Sequence, residues 1–420
     1  GSFNSISIGK GANSVSGNTV LGELALDAAV TGSDNTAIGK SALTLNTSGQ
    51  KNTAVGAIAL DANTTGSHNT AVGYAALTAN TEGDSNVSVG WKSLELNTTG
   101  DSNVAVGRDA LGENTTASNN IAVGFNALNA NTTGSSNTSV GAYSLDANTT
   151  GGNNVGIGIN TLSQNTTASD NTAVGAGAMD GNTTGARNTA VGRGALDVNT
   201  TANNNTAIGY NCLDANTTGT ENVSVGAFSM GANTTGGQNT ALGESALGNS
   251  TTASNNTAIG KNALVQNTTG AQNTAVGSGA LDANTTSLDN TAVGYNALTS
   301  ITTGQNCTAV GSKALEDNTG SDNTGLGYQA LANNTSGDDN TAVGRNALRV
   351  STTADHNTAV GNEALGANTT GAQNTAVGST SLDANTTGNY NAAFGYDTLG
   401  SNTEGDSNTA LGYEAMDTNT

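Results

Sequence analysis

Short apolar runs alternate with polar ones at a fixed interval along the chain. The unit reads Asn52-Thr-Ala-Val-Gly56-Ala-Ile-Ala-Leu60-Asp-Ala-Asn63-Thr-Thr-Gly66, and it starts again at Asn69. The glycine closing its first half recurs at steps of seventeen from Gly22 through Gly39, Gly56 and Gly73 to Gly311. One step of sixteen leads to Gly327, and steps of seventeen then resume to Gly412. Such a period is too short for a helical-pair repeat and suits one coil of a β-solenoid. The pattern therefore predicts an all-β chain: a parallel β-solenoid with 17-residue coils over residues 18–420, preceded by an irregular first coil at residues 1–17.

Each column of the repeat states a requirement. The residue before the glycine is always bulky and apolar, as in Val55, Ile38, Leu242 and Phe394. Four residues after the glycine comes Leu60 or its equivalent, replaced only by Met179, Met230 and Met416. These two columns read as the core. The column of Thr53 accepts Val87 and Ile121, as a half-buried strand position does, and it shares a face with Val55. The columns of Ala54 and Ala59 accept small residues such as Ser88, Ser93 and Cys212. On this reading Ala54 points away from Val55, and a neighbouring chain packs closely on that side. Each coil is expected to run as a strand at 52–55, a turn from Gly56, a short strand at 59–60 and a polar return through Asn63 and Gly66.

The invariant Gly56 column calls for positive φ or for room without a Cβ. The column of Gly66 tolerates Ala117 and Ser287, so its turn avoids the left-handed region. Asn52 heads a column broken only by Cys307; Asn63 heads another, broken by Ala29, Ser250, Ile301 and Ser351. Asparagines in register can chain their amides from coil to coil and so satisfy buried polar groups. The shortened coil at Asn318-Thr-Gly320 loses one return-loop residue and leaves the strands in phase.

With 58 glycines, few aromatics and many Asn and Thr, the composition alone resembles that of disordered chains; the strict register opposes that. The net charge of −21 argues against nucleic acid, whose phosphates demand cations, and against anionic membrane surfaces. No apolar run approaches membrane-spanning length, and residues 1–3 do not open a signal peptide. Cys212 and Cys307 lie several coils apart, too far to pair within one chain. No capping coil is recognisable at Thr420, so the native polypeptide is expected to continue.

Asn4-Ser-Ile-Ser-Ile-Gly9 and the later Asn-Thr-Ala-Val-Gly runs resemble the head repeats of trimeric autotransporter adhesins, the YadA-like or Hep/Hag type. The seventeen-residue form with Asn-Thr-Thr-Gly is similar to the repeat regions of tail-fibre-type proteins. The resemblance implies a left-handed parallel β-roll, three chains side by side, and display on a cell or virion. It departs from the adhesin heads in its longer coil, and the sequence carries no coiled-coil stalk, membrane anchor or self-cleaving chaperone domain.

Candidate contact residues gather just after the strand glycine: Tyr74, Trp91, Phe125, Tyr210, Tyr295, Tyr328, Tyr396 and Tyr413. Aromatics there could meet a host-surface protein or glycan, or could cover a turn or a sister chain. Asp180, Asp197 and Asp214 follow the core leucine on three successive coils and could share Ca²⁺; Thr78, Gly112 and Asn129 in the same column favour a solvated face. The Thr64-Thr65 pairs raise ice binding, but adjacent residues point to opposite sides. The Asn-Thr-Thr sequons read as structural, and His68 and His356 as exposed loop residues. No nucleophile–base pair, metal set or cofactor motif is present. The expected function is a structural or adhesive fibre, extracellular on a cell surface or virion, built as a homo-oligomer with a trimer favoured. The alternatives are a self-assembling filament or sheath subunit and an ice- or glycan-binding solenoid.

Overall fold

The computed structural model describes residues 2–3 and 6–417, with side chains from residue 6. Asn4 and Thr420, invoked above for the first coil and the chain end, lie outside the described residues. The chain forms a parallel β-solenoid without α-helix among the described residues. Its strands divide between two compact units, Gly1–Asn205 and Thr206–Thr420, built on the same repeat. The first holds β1 (Ser2–Phe3), β2 (Ile6–Gly9), β3 (Thr19–Gly22) and the succession to β13 (Thr189–Val191); the second runs from β14 (Thr206–Ile208) to β26 (Thr409–Leu411).

From β3 onward, strands within each unit pair in parallel and in register: Thr53 opposes Thr70, Ala54 opposes Ala71, and Val55 opposes Val72. The shortened coil keeps this register, with Thr308 opposite Thr324. The N-terminal segment does not stack as another coil. β2 pairs antiparallel with β3, Ile8 opposite Leu21, and β1 pairs antiparallel with β2.

The interior is narrower than the sequence suggested. Leu60, Ala54, Ala59, Asn52 and Asn63 are fully buried, whereas Thr53 and Val55 are half-exposed. The strand thus turns its small residue inward and its bulky apolar residue outward. Val55 is not core, and the Ala54 column is small because the opposite wall of its own coil, not a second chain, lies against it. Paired substitutions confirm a shared interior: Ser88 Oγ lies 2.6 Å from Ser93 Oγ, and Ser139 and Ser224 donate to the carbonyls of Ser144 and Ser229 at 2.7 and 2.9 Å. Every serine in the Ala54 column has a serine five residues later, so each buried hydroxyl finds a partner.

No second strand follows. Gly56 has φ 141°, Ile58 φ 52° and Leu60 φ 54°, so the chain bends through successive turns and Ala59–Leu60 is not extended. A Cβ on Gly56 would sit 2.2 Å from the carbonyl oxygen of Gly73, which explains its invariance. Gly66 is outside the positive-φ region, as its tolerance of Ala117 indicates. The turns are stacked by hydrogen bonds too: Leu60 N–H donates to Ala76 O and Thr64 N–H to Thr81 O, both at 3.0 Å.

The two asparagine columns work differently. Asn52 Oδ1 accepts the backbone N–H of Asn69 at 2.9 Å, and Asn52 Nδ2 donates to Gly66 O at 2.8 Å. This column is therefore chiefly a side-chain-to-backbone ladder, and the expected amide-to-amide bond joins it only at some coils, as where Asn154 Nδ2 donates to Asn137 Oδ1 at 3.2 Å. The Asn63 column is the true amide ladder: Asn80 Nδ2 donates to Asn63 Oδ1 at 2.9 Å and to Gly83 O at 3.0 Å. Ile301 interrupts it, and the chain repairs the break. Ser287, the single serine of the Gly66 column, donates its hydroxyl to the Asn284 Oδ1 that Ile301 cannot serve. Above the break, Asn318 Nδ2 reaches Cys307 Sγ at 3.5 Å and Gly320 O at 2.8 Å.

Ser287→Ala should orphan the Asn284 acceptor and lower stability by roughly 1–3 kcal/mol. In an Ile301→Asn background, where an amide donor is restored, the same change should lose most of its effect. Urea midpoints of the four proteins of this cycle measure the coupling; equal effects of Ser287→Ala in both backgrounds would refute the repair.

Candidate surface-contact site

The turn that begins at Gly56 carries the next residue to the outside of the coil. All eight aromatics singled out from the sequence are accordingly exposed, from 37% at Phe125 to 72% at Tyr413. The structure brings some of them together and leaves others apart. Tyr396 and Tyr413 stack, their rings 5.4 Å apart and 13° from parallel. Phe125 meets Tyr143 edge-on at 5.2 Å, and Tyr210 meets Phe228 at 5.3 Å. Tyr143 and Phe228 were missed from sequence because they sit one column later, two residues after the glycine. Their signal was an aromatic eighteen residues after another. Tyr295 and Tyr328 are separated by a coil carrying Ser312.

The densest patch lies in the first unit. Arg108 Cζ is 4.8 Å from the Trp91 ring and 5.6 Å from the Phe125 ring, and Lys92 Nζ is 5.1 Å from Trp91. Trp91, Arg108, Phe125 and Tyr143 thus make one continuous strip of ring and cation. A groove of about 410 Å³ runs beside it, lined by Lys92, Glu95, Asp109 and Asn126 among others. The cations are already paired, Lys92 with Glu95 and Arg108 with Asp109, each at 3.0 Å. Exposed pairs of this kind contribute little to stability but leave the strip nearly neutral.

No protein-family model matches the chain, and no curated protein matches it significantly.

The column after the core leucine assembles no metal site: among the described residues no three His, Cys, Asp or Glu side chains converge. Burial pushes the carboxyls of Asp61, Asp146, Asp214, Asp282 and Asp383 above their ordinary value of 3.8. Uncharged occupants of the same column are better served. Asn129 Nδ2 donates to Asp109 O at 2.7 Å, and Thr78 Oγ1 to Ile58 O at 3.1 Å. The Thr64 hydroxyl is spent on Thr81 O in the next coil at 2.9 Å, whereas Thr65 is exposed. His68 and His356 are exposed; His356 Nδ1 lies 3.6 Å from Asp339 Oδ2. Both thiols are buried, and desolvation raises Cys307 to about 11.

A carboxyl whose pKa is higher in the fold than in the unfolded chain favours the fold below the unfolded value, and that contribution disappears as pH rises through the folded one. Asp214→Asn, which can donate as Asn129 does, should therefore raise stability at pH 7 by up to about 1 kcal/mol. The gain should shrink toward pH 4. Urea unfolding of both proteins at the two pH values measures it; a loss at pH 7 would contradict it.

Proposed function

We propose that the chain is a structural or adhesive fibre segment, displayed outside the cell on a cell surface or virion and assembled from copies of itself. The observation that carries this reading is the outward strand face. In the Thr53 and Val55 columns from Thr36 to Leu411, no coil places a charged or amide residue, although the chain as a whole carries −21. Half-exposed Val, Ile, Leu and Phe at every coil are unusual for a surface that faces only water. Three residues at about 3.3 Å and thirteen strands at about 4.8 Å give the face of the second unit roughly 600 Å². Two such faces together reach the lower range of specific interfaces, about 1,200 Å².

The partner that suits an uncharged, repetitive strip on an acidic chain is the same strip on another copy, since a column such as that of Asp61 would set carboxylates against its apolar side chains. The resemblance to trimeric adhesin heads and tail-fibre repeats favours three copies. Stiffness comes from the hydrogen-bond ladders, and adhesion from many weak, repeated contacts of the exposed aromatics with a host-surface protein or glycan.

Leu242→Asp combined with Leu326→Asp tests the assembly. Both side chains are nearly half-exposed, so the single chain should keep its β-sheet circular dichroism. Sedimentation should show a trimer for the wild type and a monomer for the variant. A wild type that sediments as a monomer at high concentration would overturn the oligomer.

The Thr53 hydroxyls support a second reading, since they stand on the outer face at strand spacing in most coils. An ordered array of this kind could match an ice surface in place of a sister chain. Thermal hysteresis should then appear with the wild type and vanish when Thr257, Thr274 and Thr291, which oppose one another on successive strands, are changed to Lys; its absence from the wild type removes this reading.

A further inference from the structure

The amide ladder of the second unit has a break that the chain does not repair. Ile301 is compensated by Ser287 and Cys307. At Ser351 the acceptor below is served by the backbone, Gly337 N–H donating to Asn334 Oδ1 at 3.1 Å. Ser250 has neither device. Asn233 Oδ1 and Ser250 Oγ are both buried with no protein partner, and both residues are fully inaccessible.

What is missing can be read from the intact coils. An asparagine in this column donates its Nδ2 to the amide oxygen below and to the carbonyl three residues on, as Asn233 does to Asn216 Oδ1 and Gly236 O at 2.9 and 3.0 Å. At Ser250 the corresponding acceptors are Asn233 Oδ1 and Ala253 O. The latter keeps only the donor from the other column, Asn239 Nδ2 at 2.8 Å. Serine has two heavy atoms fewer than asparagine, a difference in side-chain volume of about one water. Above the break, Asn267 is held with its Oδ1 accepting from Asn284 and its Nδ2 donating to Gly270 O, each at 2.9 Å. Its second N–H is directed down the ladder toward the break.

We propose that one buried water occupies the place of the missing amide nitrogen at Ser250, donating to Asn233 Oδ1 and Ala253 O and accepting from the Ser250 hydroxyl. Two acceptors and a hydroxyl match water's three usual bonds in protein interiors. The alternative of a bound cation is disfavoured by the same geometry, because the N–H of Asn267 would face it. Among the breaks at described residues of this unit, Ser250 alone leaves an unserved acceptor in the coil below. The solenoid therefore carries an internal hydration site at one defined coil.

Oxygen-17 relaxation dispersion counts long-lived internal waters in solution. Ser250→Asn restores the residue found in neighbouring coils and so should fold, and it should reduce the count by one. An unchanged count overturns the proposal. A high-resolution crystal structure of the wild type gives the second readout. Density about 2.7–3.2 Å from Asn233 Oδ1 and Ala253 O supports the water. Density that acquires an anomalous signal after exchange of the medium's sodium for rubidium is a cation and refutes it. A Ser250 hydroxyl bonded directly to Asn233 refutes it as well.

Discussion

The amides buried in this protein share their hydrogen bonds between a carbonyl of their own coil and an amide group of the coil above or below. An unmatched buried donor or acceptor costs roughly 1–3 kcal/mol, and each coil encloses two asparagine side chains beside one leucine and two small residues. The apolar content of one coil cannot offset many such losses. Asn52 and Asn63 therefore tie adjacent coils together more strictly than the leucine column does. The Leu60 column accepts Met179 and Met230, both still fully buried, but Ile301 in the amide ladder is accompanied by Ser287 in the coil before it.

Much of this architecture was legible from the repeat, and the misreadings have definite causes. The period, the parallel register, the buried leucine and the silent deletion at Asn318 follow from spacing alone. The orientation of the strand did not. Alternation says that Ala54 and Val55 face opposite ways, yet it leaves open which face is inside, and the usual weight given to bulky apolar residues pointed the wrong way. The paired serines, Ser88 with Ser93 and Ser139 with Ser144, held the answer, since two hydroxyls that appear together imply a shared enclosure. The turn at Ile58 and Leu60 was hidden because non-glycine residues seldom adopt positive φ. Gly177, Gly194, Gly279 and several asparagines in the Ile58 column were the available sign.

The surface was less readable than the interior. Interior columns are constrained at every coil and so reveal their demands by repetition. The aromatics after the strand glycine occur irregularly, and only coordinates show that Trp91, Arg108, Phe125 and Tyr143 form one strip while Tyr295 meets no other ring among the described residues. Correcting the strand orientation also moves the basis for the proposed self-association. The small-residue columns no longer bear on it, and the uncharged strip of Thr53 and Val55 takes their place.

The stacking contacts have an evolutionary corollary. Where neighbouring coils are equivalent, unequal recombination can insert or excise whole multiples of seventeen residues, and the chain can lengthen without new folding instructions. Hydroxyl pairs inside one coil, such as Ser88 and Ser93, travel together through such an exchange. Ser287 and Ile301 lie in different coils, so a crossover between them would separate lesion from remedy. That junction should be among the least permissive places for changing the length of this protein.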